Sequence, residues 1–360
     1  MRGHFPNEIE TLAEGLGWSP PAPGGGDTRT PPPGAGGLTA LIPAFFEGNR
    51  FTKNDIHYWK NGETWIPVGE TPYAKDATFG YTNSDLKLWI EEKTKGKTKA
   101  SEVVSFDPNT EGVDFSLEKL KSLDNDKTFI VNALQRSDLE IFALAALRSE
   151  RRILYRTSAS FVAAFAGITP KPLLTAAISP PSGVGGLIVV GSHVPKTSAQ
   201  LDELLKTDIQ VVELDVFQLL NTDNSLEYTS KILDKIGGLL RGCRNVVLFT
   251  SRQLIVGKNE NDSLQLSVNI SNALVWIVQN LSLRPQFLVA KGGITSSDLA
   301  TKALGVKRAI VLGQIVAGVP VWQMGEETKF PNMPYIIFPG NVGSDEDLKN
   351  VYNILKNKNT

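Results

Sequence analysis

The sequence predicts an α/β protein of two domains. Three observations carry that expectation. The second half alternates short runs of Val, Ile and Leu with segments of helical spacing. Pro- and Gly-rich stretches interrupt the first half and the middle of the chain. The length of 360 residues with 41% hydrophobic content exceeds what one core of ordinary size needs.

In the first half, helical spacing runs from Glu8 to Leu16 and an apolar strand from Leu38 to Ile42. Residues 19–37 between them are dominated by Pro and Gly and cannot bury enough apolar surface to offset their ordering entropy, so a disordered insert is expected there. Residues 45–95 are rich in aromatics and turn formers and read as β structure with long loops. A helix near Leu117–Ser122, a buried strand at Phe129–Asn132, a helix at Leu139–Arg148, a strand at Ile153–Tyr155 and a helix at Ser160–Phe165 follow. Residues 169–184, ending in Pro180-Pro-Ser-Gly-Val184, read as the linker. The domains are thus expected at 1–172 and 184–360.

In the second half, strands are expected at Gly186–Val190, Val211–Leu214, Asn245–Thr250, Phe287–Ala290, Ala309–Leu312 and Tyr335–Phe338. Helices are expected at Ser198–Leu205, Ser230–Leu240, Leu266–Gln279, Ser297–Leu304 and Asp345–Lys356. Uninterrupted apolar strands separated by amphipathic helices imply a mostly parallel sheet with helices on both faces. Ligands of such sheets sit at the carboxyl ends of the strands.

Composition excludes several classes of function. Lys+Arg 37 against Asp+Glu 38 leaves almost no net charge, which argues against nucleic acid or a membrane surface as an electrostatic partner. No apolar run approaches the roughly 20 residues needed to cross a bilayer. Cys243 is the single cysteine, so a reducing compartment, the cytoplasm, is expected. The three histidines have no metal-ligand spacing, and no protein metal site is expected.

Three turns follow strands and precede helices. They are Gly191-Ser-His-Val-Pro-Lys-Thr-Ser198, Lys291-Gly-Gly-Ile-Thr295 and Pro339-Gly-Asn-Val-Gly343. Glycine lets backbone N–H groups approach a ligand without a Cβ in the way. A helix N-terminus with hydroxyl residues favours an anion. Each turn alone reads as well as an ordinary strand-to-helix loop. Their recurrence along one sheet edge points to a nucleotide or another phosphorylated ligand. None is a Gly-x-x-x-x-Gly-Lys-Ser/Thr loop or a Gly-x-Gly-x-x-Gly fingerprint, which disfavours a dinucleotide dehydrogenase.

These turns, with Arg2-Gly-His-Phe-Pro6, Pro43-Ala-Phe-Phe-Glu-Gly-Asn-Arg50, the stretch 70–80 and Arg156-Thr-Ser-Ala-Ser-Phe161, resemble the four-carbon acid sugar kinases over nearly the whole chain. The resemblance implies an ATP-dependent kinase for threonate- or erythronate-like acids, with Mg²⁺ accompanying ATP. It implies a substrate-binding N-terminal domain and a nucleotide-binding C-terminal one. Ser192, Gly292, Gly293, Ile294, Thr295 and Gly340 match the ATP contacts. On the substrate side stand Arg2, Arg50 and Asp76, with Arg156 as a further candidate; the guanidinium groups suit a carboxylate. The family begins with a strand and an Asp-Asp-x-x-Gly loop ahead of Arg-Gly-His-Phe-Pro. This chain starts at Met1-Arg2, so the resemblance implies an N-terminally truncated domain lacking its first elements, and the catalytic residues stay unknown. Two alternatives remain at this stage, an inactive nucleotide-binding homologue and a Rossmann-type oxidoreductase. A homodimer is open.

Overall fold

The computed structural model describes residues 5–16, 36–75, 79–175, 178, 183–222, 224–252 and 260–356. Most of the Pro/Gly insert and part of the linker lie outside them. The chain forms two compact units, Met1–Pro170 and Lys171–Thr360.

The N-terminal unit runs in order α1 (Phe5–Gly15), β1 (Leu38–Ile42), β2 (Arg50–Lys53), β3 (Ile56–Asn61), β4 (Thr64–Pro67), α2 (Leu86–Lys93), β5 (Val104–Phe106), α3 (Pro108–Ser122), β6 (Thr128–Val131), α4 (Arg136–Ser149), β7 (Ile153–Thr157) and α5 (Ala159–Phe165). Strands β5-β6-β1-β7 make a wholly parallel four-stranded sheet, and β2-β3-β4 make an antiparallel three-stranded one. The side-chain period of two divides the parallel sheet cleanly. Leu38, Ala40, Ile42, Phe129 and Val131 pack with Phe106, Phe142 and Phe161 on one face. Leu41 and Ile130 face the other way, against Phe5, Trp89 and Ile90. Helix α1 is anchored there by Phe5, whose ring lies 5.1 Å from that of Trp89.

Sequence reading missed β5 and α2. β5 has three residues, too few for a periodic signal. α2 starts at Asp85, whose side chain accepts from the N–H groups of Lys87 and Leu88. That capping signal was available but stood inside a stretch read as β structure.

The C-terminal unit runs β8 (Leu187–Val190), α6 (Pro195–Leu205), β9 (Gln210–Leu214), α7 (Val216–Asn221), α8 (Ser225–Arg241), β10 (Val246–Thr250), α9 (Glu260–Gln279), β11 (Leu288–Lys291), α10 (Gly293–Asp298), β12 (Ala309–Val316), β13 (Val319–Met324), β14 (Pro334–Phe338) and α11 (Asp347–Leu355). The sheet order is β12-β13-β14-β11-β8-β10-β9. Its five strands from β14 to β9 are parallel. Leu187, Val189, Leu248, Leu288 and Ala290 pack with residues of α8 and α9, among them Ile236, Leu240, Leu274 and Val278. Residues of opposite parity, Ile188, Val190, Val247 and Val289, are equally buried, so both faces are covered.

The run Ala309–Leu312 is correct as a strand but not as a link in the β/α alternation. It continues to Val316 and turns back antiparallel as β13, which pairs antiparallel with β14. The turn is Ala317-Gly318, with Gly318 at φ 76°. Pro320 hid β13, because proline rarely sits inside a sheet. It is tolerated here beside a register shift between Gln314 and Val316, where the ladder is already interrupted.

Phe129 is fully buried, with its ring 5.1 Å from Phe106 and 5.6 Å from Phe142. Phe129→Ala is expected to cost about 3–5 kcal/mol of stability through the cavity it leaves. Denaturant unfolding measures this, and a loss below about 1 kcal/mol would show that the three-ring cluster is not a packed core.

Candidate functional site: three turns at one sheet rim

Strands β14, β11 and β8 are parallel neighbours, so their carboxyl ends, and the turns that follow, emerge on one rim. The ladder extends one step past the strands. Gly292 N–H donates to Phe338 O at 2.8 Å, and Gly191 N–H donates to Lys291 O at 3.2 Å. Side chains then tie the turns together. Thr197 Oγ1, in the first turn of α6, donates to Gly340 O at 2.9 Å and lies 3.2 Å from Ser192 Oγ. Gln200 Nε2 donates to Val342 O and Ser344 O. Lys291 Nζ donates to Pro339 O at 2.6 Å.

Four of the five glycines in these turns fall into two kinds. A Cβ on Gly191 would lie 2.3 Å from Thr295 Oγ1, one on Gly292 3.0 Å from Ser192 Cβ, and one on Gly340 2.8 Å from Ser192 Oγ. These three are glycine because the turns press on each other. Gly292 also sits at φ 124°, which L-residues rarely adopt. Gly293 differs, since a Cβ there meets nothing within 4 Å. It and Ile294, which is 72% exposed, open the first turn of α10. The first i→i−4 bond of that helix is Ser296 N–H to Gly292 O, 2.9 Å. The N–H groups of Gly293, Ile294 and Thr295 precede that bond and lie outside the helical ladder. At this segment of the rim, backbone donors outside the helical ladder adjoin the open space at Gly293.

Three basic side chains stand at the rim, one of them paired with an acid. Lys196 pairs with Asp345 at 2.8 Å. Lys291 is fully buried, with Nζ 4.0 Å from the centre of the Phe338 ring. Burial pushes its ammonium down to about 7; the charge of Lys196 adds to the fall and Asp347 opposes it. Arg252, two residues past β10, donates through Nη2 to Ser192 O and Ser198 Oγ, both at 2.8 Å. Burial lowers its pKa, against the opposing charge of Asp202. Burial, and then the charge of Arg252, lowers the His193 pKa. Sequence reading missed Arg252. The available signal was its place just after the wholly buried run Val246–Thr250, at a fourth strand end of the same sheet.

Of the expected substrate-side residues, Arg2 and Asp76 lie outside the described residues. Arg50 and Arg156 are brought to the carboxyl rim of the N-terminal sheet. Arg156 is on β7, opposite Leu41 of β1, and Arg50 begins β2 after the turn Phe46–Gly48 that follows β1. Arg50 Nη1 donates to Gly48 O at 3.1 Å, and its guanidinium lies 5.8 Å from the Tyr73 ring centre. Burial lowers the Arg50 pKa, with Tyr73 and Tyr81 opposing. No acidic partner pairs with Arg50 among the described residues. Arg156 by contrast forms an ion pair with Glu8 of α1 and stacks on Phe5, 5.6 Å from the ring centre. It has a structural occupation that the sequence did not suggest. Glu47 and Ser160 meet on the same rim, at 2.6 Å.

The Lys291 ammonium carries a test of the buried rim. In the unfolded chain it titrates near its ordinary value of 10.5. Between about pH 7 and about pH 10.5 the unfolded chain therefore holds a proton that the folded chain has shed. The sign follows: this group's burial cost is present in full below that window, and stability rises with pH across it. Lys291→Met is expected to flatten the rise, as read by urea unfolding at about pH 7 and about pH 10. Equal pH slopes in the two proteins would place the charge in contact with solvent.

Two family models cover most of the chain. A sugar-binding N-terminal domain matches residues 1–165 and a nucleotide-binding C-terminal domain matches residues 187–348. Among solved structures, a Salmonella typhimurium LT2 protein with a provisional tRNA-synthase description shares the fold at TM-score 0.62 and 15% identity, over 88% of this chain and 73% of its own. A Haemophilus influenzae protein of the DUF1537 family does so at TM-score 0.55 and 17% identity, over 88% and 74%. No curated protein matches the chain in sequence. With both domain models in the family's order on two α/β units, the chain belongs to the four-carbon acid sugar kinase family.

Proposed function

We propose that the chain is an ATP-dependent kinase that phosphorylates a hydroxyl of a four-carbon sugar acid of the threonate or erythronate type. The observation that carries this reading is the open first turn of α10, braced by two neighbouring turns. Open space at Gly293 and the N–H groups of Gly293, Ile294 and Thr295 fit a phosphate. The Ser192 hydroxyl and the bare backbone of Gly340 border the same place, and Lys196 would have to part from Asp345 to add its charge. Among the described residues no group of three or more His, Cys, Asp or Glu could hold a metal. Mg²⁺ in this reading arrives on the nucleotide's phosphates, its usual mode in phosphoryl transfer.

Phosphoryl transfer asks the protein for alignment, charge neutralisation and exclusion of water. The sugar acid belongs to the N-terminal unit in this reading. Arg50 carries carboxylate recognition: its guanidinium is buried, unpaired by acid among the described residues, and geometrically suited to a bidentate contact. Arg156 would have to part from Glu8 to share that role. Among the described residues, no helix is long and apolar enough to cross a membrane. A cytoplasmic location and self-association as a homodimer belong to the proposal.

The direct test is a coupled assay with ATP–Mg²⁺ across a panel of small aldonic acids. Turnover with four-carbon acids is expected to exceed that with longer or shorter ones. Nucleotide binding without turnover on any acid would favour an inactive binding homologue. Gly293→Val should leave the melting temperature nearly unchanged, since its side chain meets open space. It should also abolish the thermal shift given by ATP, worth about 2.7 kcal/mol at a hundredfold excess over Kd in the parent protein. Retained affinity in that variant would remove the first turn of α10 from the nucleotide site.

A further inference from the structure

Seven buried side-chain nitrogen or oxygen atoms lack a hydrogen-bond partner among the described residues. Five of them cluster around the first glycine turn and the end of β10: His193 Nδ1, Gln200 Oε1, Thr250 Oγ1, and Nε and Nη1 of Arg252. The cluster is not scattered over the fold. β8 and β10 are parallel neighbours in register, with Phe249 opposite Val190. The turns carrying His193 and Arg252 therefore leave the sheet side by side. Arg252 Nη2 reaches across to Ser192 O and to Ser198 Oγ at the start of α6.

Arg252 is unusual among these groups because it is always charged. Nη2 directs its donors to the neighbouring turn, while Nε and Nη1 have no acceptor among the described residues. No carboxylate forms an ion pair with it among the described residues. Leaving donors of a cation out of contact with both water and acceptor is costly. A guanidinium so placed is completed by an anion, and a phosphate oxygen is the anion that this rim is otherwise shaped for. The neighbouring His193 offers no counter-charge, since an imidazole is either neutral or cationic.

We infer that Arg252 is a phosphate-binding residue: through Nε and Nη1 it takes a phosphate of the ligand seated at the glycine turns, while Nη2 holds the Ser192 carbonyl in place. This rests on the proposed nucleotide site and adds a cation to it from a fourth strand end. Resident water completing the guanidinium is the competing explanation, and it predicts no dependence on phosphate.

The test is isothermal titration of the full chain with ATP, ADP, AMP, adenosine and inorganic pyrophosphate, repeated for Arg252→Gln, Arg252→Lys and Arg252→Ala. Melting temperatures confirm that each variant is folded. Loss of charge is expected to weaken ATP, ADP and pyrophosphate by about 10- to 100-fold, the range for bonds to charged groups. Adenosine should be unaffected, and the lysine variant should fall between. Equal weakening of adenosine and ATP would reduce Arg252 to a brace for the turn and overturn the inference. So would unchanged binding of ATP and pyrophosphate in the glutamine variant. If the parent protein takes pyrophosphate but no nucleotide, the kinase reading fails while the pyrophosphate titrations still decide the role of Arg252. If it takes none of the ligands, both fall.

Discussion

The C-terminal unit depends on the close approach of three turns around Ser192. A methyl group on Gly191 would collide with Thr295 and one on Gly340 with Ser192, and one on Gly292 would press on Ser192 at 3.0 Å. The requirement comes from the sheet. Neighbouring parallel strands are spaced at about 4.8 Å, and turns that leave adjacent strands at one level have little room for side chains. Hydrogen bonds continuing the ladder past β8 and β11 lock that level. With three positions given over to mutual contact, the turns fix the neighbouring Gly293 at the start of α10 with open space before it. Rigid backing and an open front are what a preformed anion site needs.

Charge placement follows the same geometry. A buried ammonium at Lys291 and a half-buried guanidinium at Arg252 are costly to desolvate, and burial lowers the pKa of both. Their hydrogen bonds go mainly to backbone carbonyls, Pro339 O and Ser192 O. Each thereby holds one of the turns while keeping its charge near the place assigned to phosphate. The N-terminal rim repeats the pattern in a milder form. Gly48 admits the Arg50 guanidinium, which would lie 2.6 Å from a Cβ there, and no described acid neutralises it.

Much of this was legible in the sequence, and the reasons are specific. The strands Leu187–Val190, Val246–Thr250 and Leu288–Lys291 are buried on both faces, so their apolar runs stood out without any need for alternation. The glycine turns stood out because each closes such a run. What failed was structure whose signal is not periodic. β13 carries a proline, β5 is three residues long, and α2 opens within an aromatic loop region. At the site, the sequence showed which glycines cluster but not why. That three serve turn-to-turn contact, while Gly293 faces open space, is a property of the packed rim. The ion pair of Arg156 with Glu8 joins residues 148 apart, and no local pattern announces it. Arg252 was overlooked for a related reason, since no glycine adjoins it to mark the strand end; the next along the chain is Gly257.

Hydrogen–deuterium exchange of the full chain, with and without saturating ATP–Mg²⁺, tests the central claim most directly. Protection is expected to appear together in the segments 191–194, 292–296 and 339–342, because one ligand rests on turns that move as a unit. Protection confined to one of these segments, or found at the opposite rim of the sheet, would contradict it.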